Sequence, residues 1–369
     1  MKKEKGGVDI PFLLVLVALV SFGLVIFTSA ALGLMARENG ATFNSVAASQ
    51  LLLGLLCGSI ACVFFAKFDY RRWRTLTPYF FGFAVVLTLL VFVPGIGLEL
   101  KGAHRWIAIG PITFQPEEVL RFATIAFLAA MYAARYKTIS TWRGGLLPLF
   151  AIVGPVAGIM LLQPNTDSVA IIGLAAIAML YAGGGRIVHL FIIFLLAVGV
   201  IGIAAMTYSH VQDRIQTYLH QASDPQGAGY QIQQSLIAVG SGGLTGRGLG
   251  QGVEKFSYLP EPIGDSIFAV AAEEFGFIGS TALVLLFVVF ALLGLRIAGR
   301  APDPFGGLMV VGLVILIVGQ SFVNIASTLG LVPLVGVPLI FVSHGGTALA
   351  LALAECGVIL NVSRRMKHK

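Results

Sequence analysis

The sequence predicts an all-α fold: a polytopic membrane protein of about ten transmembrane helices, forming a single integral domain with a large extracytoplasmic loop between helices seven and eight. Three observations predict it. Of 369 residues, 57% are hydrophobic and only 11% charged, and the mean hydropathy is +0.92, far from the balance of a soluble domain. The apolar residues fall in runs of about 18 to 25, the length that crosses a hydrocarbon core. The basic residues sit in the short segments between runs, so the net charge of +7 reads as membrane topology rather than as a nucleic-acid surface.

The first run, 11–35, is too long for a signal-peptide core and lacks a small-residue cleavage site, so it reads as a retained helix. Further runs follow at 45–66, 77–95, 117–134, 145–163, 168–184, 187–209, 266–295, 305–330 and 345–362. With the amino terminus inside, seventeen Lys and Arg residues fall on inner segments and six on outer ones, Lys255 among the six, while Arg121 lies within a helix. That excess puts the tails 1–9 and 363–369 in the cytoplasm and the polar stretch 210–264 outside. Cys57, Cys62 and Cys356 lie inside apolar runs without metal-type spacing and read as free thiols.

A charge near the bilayer centre costs at least about 2.5 to 3.5 kcal/mol, so such groups pair or line polar cavities. Helix four opens Gln115-Pro116-Glu117-Glu118 and carries Arg121, four residues after Glu117 and three after Glu118, within reach of either on one face. Two readings stand side by side: a self-neutralising trio, or a cation facing a central cavity to hold an anionic substrate. Glu273 and Glu274 lie about 12 Å along the helix axis from Asp265 at 1.5 Å per residue, beyond the roughly 5 to 9.5 Å carboxyl pair of a glycosidase. They and Glu355 read as polar contacts between helices.

The stretch Gly229–Gly276 concentrates polar residues, glycines and prolines between apolar runs, which makes it the place for chemistry. Asp265 follows Pro260, Pro262 and Gly264 and precedes an apolar run. It suits a helix N-cap, whose oxygen takes an orphan N–H of the first turn, and it equally suits a catalytic base held at the water boundary. The glycine-rich run Gly242–Gly252 fails both nucleotide fingerprints: no Lys-Ser/Thr pair follows it, and Gln251 stands where the last glycine of GxGxxG belongs. No nucleotide is expected, and the run reads as a flexible loop whose backbone can approach a ligand closely. The six histidines show no metal-ligand spacing.

Several motifs together resemble one family. They are Gly102-Ala103-His104-Arg105-Trp106, Phe114-Gln115-Pro116-Glu117-Glu118, Gln163-Pro164-Asn165, Gly229-Tyr230-Gln231 with Gln234-Ser235, Leu259-Pro260-Glu261 with Asp265, Phe268-Ala269-Val270 with Glu273-Glu274, Gly336-Val337-Pro338, and Ser343-His344-Gly345-Gly346. In this order they resemble the SEDS family (shape, elongation, division and sporulation), typified by FtsW and RodA, and the wording around Asp265 resembles the FtsW branch more.

The resemblance implies a peptidoglycan glycosyltransferase of the bacterial cytoplasmic membrane that polymerises lipid II on the outer face, in division before elongation. It implies a class B penicillin-binding protein and other division or elongation membrane proteins as partners. It assigns catalysis to Asp265 and a cavity position to Arg121, where Arg121 or a divalent cation, magnesium or manganese, would stabilise the diphosphate. The remaining substrate or cavity candidates are Glu118, Gln115, Asn165, Gln231, Gln234, Glu261, Ser343 and His344. The chain departs from the family pattern at Glu117 (usually Ser), Arg121 (Lys), Asn165 (often an acid), Asp167-Ser168 (Gly-Thr) and His344 (often Tyr). A flippase or transporter for the lipid-linked precursor is the alternative, and it would need sites reachable from both faces. A pure scaffold would leave Asp265 and Arg121 without a purpose.

Overall fold

A helix stands on each of the ten apolar runs in the computed structural model, which describes residues 7–37, 41–100, 103–109, 112–207, 212, 216–219 and 227–366. The tail residues 1–6 and 367–369 and most of 208–226, part of the expected outer loop, lie outside the described residues. In chain order the helices are α1 (Ile10–Arg37), then α2 (Ala41–Ala48), the π-helical stretch Ser49–Cys57 and α3 (Gly58–Lys67) as one continuous path, and α4 (Tyr70–Leu89). There follow α5 (Pro116–Ala134), α6 (Leu147–Leu162), α7 (Thr166–Ala182) and α8 (Ile187–Thr207). The segment between α8 and the next long helix contributes α9 (Ala228–Ser241) and α10 (Glu254–Ser257), and α11 (Ile267–Gly299), α12 (Pro304–Thr328) and α13 (Gly346–Ser363) complete the chain. Among the described residues seven spans are long and apolar enough to cross a membrane. The α5 helix carries three charges, and α7 has 17 residues.

Lipid is as apolar as leucine, so packing in a membrane turns apolar side chains outward and gathers polar ones within. Accordingly Ile10, Leu14 and Val17 of α1, Ile60 and Phe64 of α3, and Phe191 and Phe194 of α8 face outward. The α12 and α13 spans are each 83% buried and carry Gln320, Asn324, Thr328, Glu355 and Asn361 into the interior.

Three features depart from the sequence expectation. The third run, expected from residue 77, begins at Tyr70, because the Asp69 carboxylate accepts the Arg71 N–H at 3.0 Å and caps the helix there; Arg71, Arg72 and Arg74 therefore lie in its opening turns. The loop before α5 is not helical or irregular but a three-stranded antiparallel sheet, β1 (Gly97–Leu100), β2 (Ala103–Ile109) and β3 (Ile112–Phe114), in that order. Ile107 pairs with Phe114, and Arg105 Nε donates to the Gln163 carbonyl at 2.9 Å, tying the sheet to the α6–α7 turn.

The third departure is a break in α11 at Gly276, whose φ of 64° and ψ of −164° interrupt the helix expected over 266–295. Backbone groups freed inside a membrane protein need protein partners. The glycine-rich loop supplies them. Phe277 N donates to Gly243 O at 2.8 Å and Ile278 N to Leu244 O at 3.1 Å, while Arg247 N and Gly248 N donate to Glu273 O and Glu274 O at 3.0 Å. A Cβ on Gly246 would lie 2.1 Å from Glu274 O. The expectation of a flexible, ligand-approaching loop is thus corrected at Gly242 and Gly246, where the missing side chain lets backbone meet backbone.

Candidate active site

Asp265 ends a turn built by residues that cannot continue a helix. Glu261 takes a left-handed φ of 47°, and its carbonyl accepts from Gly264 N at 3.0 Å and Ser266 N at 3.3 Å. Because that turn closes onto Ser266, α11 starts at Ile267 with Ser266 in the N-cap position and no side-chain cap bond. The N-cap position therefore falls to Ser266, and Asp265 stands one residue before it, half-buried.

Three neighbouring elements grip this turn. From α12, Asn324 Nδ2 and Thr328 Oγ1 donate to the Asp265 carbonyl at 2.9 and 3.3 Å, and the Asn324 amide also donates to Val337 O at 2.8 Å. From α9, Gln231 Nε2 donates to Ser266 Oγ at 3.0 Å. From the segment before α13, Ser343 Oγ donates to Gly264 O at 2.8 Å and His344 N to Ile263 O at 2.7 Å. The carboxylate of Asp265 thus projects from a backbone that is fixed on several sides.

The His344 ring stacks on Phe27 with centroids 6.1 Å apart, and burial pushes its imidazole below the ordinary histidine range, opposed by the Glu261 carboxylate. Gln234 lies one turn from Gln231, half-buried, and Glu261 is exposed. Gln115 occupies the N-cap position of α5 without a side-chain cap bond.

Arg121 belongs to a different cluster. Its Nη1 donates to Gln320 Oε1 at 2.5 Å, and Nη2 lies 3.9 Å from Glu118 Oε1. Glu118, Arg121, Gln320 and Glu355 line a cavity of about 20 Å³, room for a single water, and Asp265 does not line it. The expected reach of Arg121 to either glutamate resolves to Glu118. Glu117 turns to α7, accepting from Asn165 Nδ2 and, at 3.3 Å, from Ser168 Oγ. Three departures from the family pattern, at 117, 165 and 168, therefore satisfy one another. Asn165 Oδ1 also caps α7 by accepting Ser168 N at 3.3 Å.

The two clusters meet through α12. Gln320 Nε2 donates to Pro338 O at 3.0 Å, one turn before Asn324 grips Val337 and Asp265. Gln320, Asn324 and Thr328 were not singled out from sequence. The available signal was their four-residue spacing along an otherwise apolar run, which lines one helix face. The expected interhelical contacts of Glu273, Glu274 and Glu355 are present: Glu274 accepts from Ser29 of α1 at 2.6 Å, Glu273 accepts Val253 N at 2.8 Å, and Glu355 reaches the Arg121 cavity.

Comparison with known proteins matches residues 10–368 to the cell cycle protein family that comprises FtsW, RodA and SpoVE. The chain belongs to this family. Among relatives of the FtsW/RodA/SpoVE chain is stage V sporulation protein E of Bacillus subtilis (strain 168), 38% identical with 100% of both chains covered. Another is a probable peptidoglycan glycosyltransferase FtsW of Geobacter sulfurreducens, 36% identical over 99% of this chain and 97% of the relative. A solved structure described as showing coordination of polymerization and crosslinking by a peptidoglycan synthase complex contains a chain that matches with a TM-score of 0.79 at 25% identity, covering 97% of this chain and 98% of that one. The crystal structure of Thermus thermophilus rod shape determining protein RodA matches with a TM-score of 0.70 at 25% identity, covering 98% of each.

Proposed function

We propose that this FtsW/RodA/SpoVE protein is a peptidoglycan glycosyltransferase that polymerises lipid II on the outer face of the bacterial cytoplasmic membrane, with both termini inside. The names of its relatives and the peptidoglycan synthase likeness support the activity. The observation that carries the site is the clamped turn of Asp265, which holds one carboxylate where α9, α11, α12 and the segment before α13 converge.

One carboxylate suffices for an inverting transfer. Asp265 takes the proton of the acceptor sugar 4-hydroxyl, the freed oxygen bonds to the donor anomeric carbon, and the bond from that carbon to the diphosphate breaks, releasing undecaprenyl diphosphate. Arg121, bonded to Gln320 and 3.9 Å from Glu118, serves on this reading to hold α5 against α12 rather than to touch the diphosphate. Among the described residues no three His, Cys, Asp or Glu side chains gather into a metal-ligating group. A magnesium or manganese ion would need the oxygens of the substrate diphosphate with one or two carboxylates, the usual magnesium arrangement, of which Asp265 would be one.

The partner this reading calls for is a class B penicillin-binding protein, with other division membrane proteins, and the resemblance to FtsW relatives favours division over elongation. The test is lipid II polymerisation by the purified protein, with and without a cognate transpeptidase, beside Asp265→Asn. The amide variant should insert, fold and bind its partner but form no glycan. Near-normal polymer from Asp265→Asn would end the catalytic assignment, and precursor translocation without polymerisation would favour a transporter.

A further inference from the structure

Lys255 was expected to be an external loop charge. It is instead fully buried, at 0% exposure, although it belongs to α10 in the outer loop. Its Nζ lies 2.5 Å from Glu274 Oε1 and 2.8 Å from Ser29 Oγ, and the Ser29 hydroxyl donates to the same carboxylate. A Cβ on Gly33 would lie 2.5 Å from the Lys255 carbonyl, so the backbone of α10 rests directly on α1. The adjoining carboxylate grips the same short helix from its other end: Glu273 accepts Val253 N at 2.8 Å and Glu254 N at 3.3 Å. An ion pair buried to this degree has a large desolvation cost, and losing one partner leaves the other as an uncompensated buried charge.

Its location gives the pair a use beyond stability. Asp265 lies ten residues after Lys255 and nine before Glu274 (265 − 255 and 274 − 265), so the ion pair closes a chain segment with Asp265 midway. One arm runs from α10 through the fully buried Leu259 to the turn at Glu261. The other is the half-helix 267–275 that ends at the Gly276 break. Asn324, Thr328, Ser343 and Gln231 grip the middle of this segment; the Lys255–Glu274 pair fixes its ends.

We infer that Lys255 is a positioning residue for Asp265: through Glu274 and Ser29 it anchors α10 to α1 and to the half-helix, and so sets where the Asp265 turn stands for the transfer step. This inference rests on the glycosyltransferase reading for its kinetic consequence and on geometry alone for its structural one. The effect belongs to the chemical step, because Lys255 and Glu274 are both buried and a substrate reaches neither of them directly. A displacement of about 1 Å at a reacting group can lower turnover roughly a hundredfold.

The test compares wild type, Lys255→Arg, Lys255→Met and the double variant Lys255→Met/Glu274→Leu in the full chain, purified with its transpeptidase partner. Three quantities are read on each: thermal stability, kcat and KM for lipid II, and amide hydrogen exchange across residues 258–266. Lys255→Met should lose stability, and its kcat should fall at least about tenfold with KM within twofold. The double variant removes both charges, so it should regain most of the stability while kcat stays low and residues 258–266 exchange faster than in wild type. Lys255→Arg, which keeps the charge, should retain more of kcat than either.

Recovery of kcat together with stability in the double variant would overturn the inference and leave the pair a purely structural contact. So would unchanged exchange across 258–266 in a double variant that folds. Wild-type protein that makes no polymer would refute the proposed function instead, and the exchange comparison would still decide the positioning claim.

Discussion

Asn324 is the residue on which the placement of Asp265 depends most directly. Its amide donates to the carbonyl of half-buried Asp265 at 2.9 Å and to the buried Val337 carbonyl at 2.8 Å. Asn324→Ala removes both bonds, each worth about 1 kcal/mol net, and strips Val337 O of this donor, which adds about 1 to 3 kcal/mol for an orphaned buried group. Two facts reduce the total. Thr328 Oγ1, whose one proton is shared with Asn324 O at 2.9 Å, still reaches Asp265 O at 3.3 Å. Asn324 Oδ1 is itself buried without a hydrogen-bond partner among the described residues, so its removal relieves a cost. These two reductions bring the expected loss from a sum of about 3 to 5 kcal/mol down to about 2 to 3 kcal/mol.

The consequence for turnover should exceed the consequence for stability, because the released carbonyl belongs to the proposed base itself. Asn324→Ala should lower lipid II polymerisation at least about tenfold while the protein stays folded in detergent. Asn324→Asp should be worse, since a carboxylate cannot donate to either carbonyl and sets an anion beside Asp265. Unfolding in mixed micelles gives the stability, and gel-resolved polymerisation of purified lipid II gives the turnover. Wild-type stability together with wild-type polymer formation in Asn324→Ala would refute the clamp.

Two further outcomes follow from the fold. Gly276→Ala should destabilise the protein severely, because a Cβ there would lie 2.2 Å from Gly246 N at a φ of 64°; reduced recovery of folded protein by size-exclusion chromatography checks it, and Gly240→Ala, where a Cβ meets nothing within 4 Å, is the control. Arg121→Gln should destabilise by about 3 to 5 kcal/mol by leaving Glu118 and Glu355 without their cation. Arg121→Gln combined with Glu118→Gln should recover part of that loss in the same micelle assay, and a double variant no more stable than the single one would show that Arg121 does not compensate the charge of Glu118.

The membrane class was legible in the sequence because it depends on short-range quantities. Ten apolar runs of spanning length and a skewed distribution of Lys and Arg do not depend on which helix packs against which. The turn that carries Asp265 was legible for a related reason: Pro260, Pro262 and Gly264 stop a helix locally, whatever surrounds them. The small sheet at 97–114 was within reach of an alternation reading around Gly110-Pro111, but ten strong helical runs drew the whole chain toward an all-helical description.

What only the tertiary structure decided are the partners, because a partner is a statement about residues far apart in the chain. Arg121 stood three and four residues from two glutamates, and local spacing could not choose between them; the choice fell to Asn165 and Ser168 on α7, which claim Glu117, and to Gln320 on α12, which claims Arg121. Lys255 looked like a solvated loop charge because its carboxylate lies 19 residues on and its hydroxyl 226 residues back. The glycines at 242–252 looked free for a ligand because the broken helix that they pack against is visible only once Gly276 has folded onto Gly246. In an apolar interior each freed backbone group and each buried charge must find a protein partner, and the fold settles which one it finds.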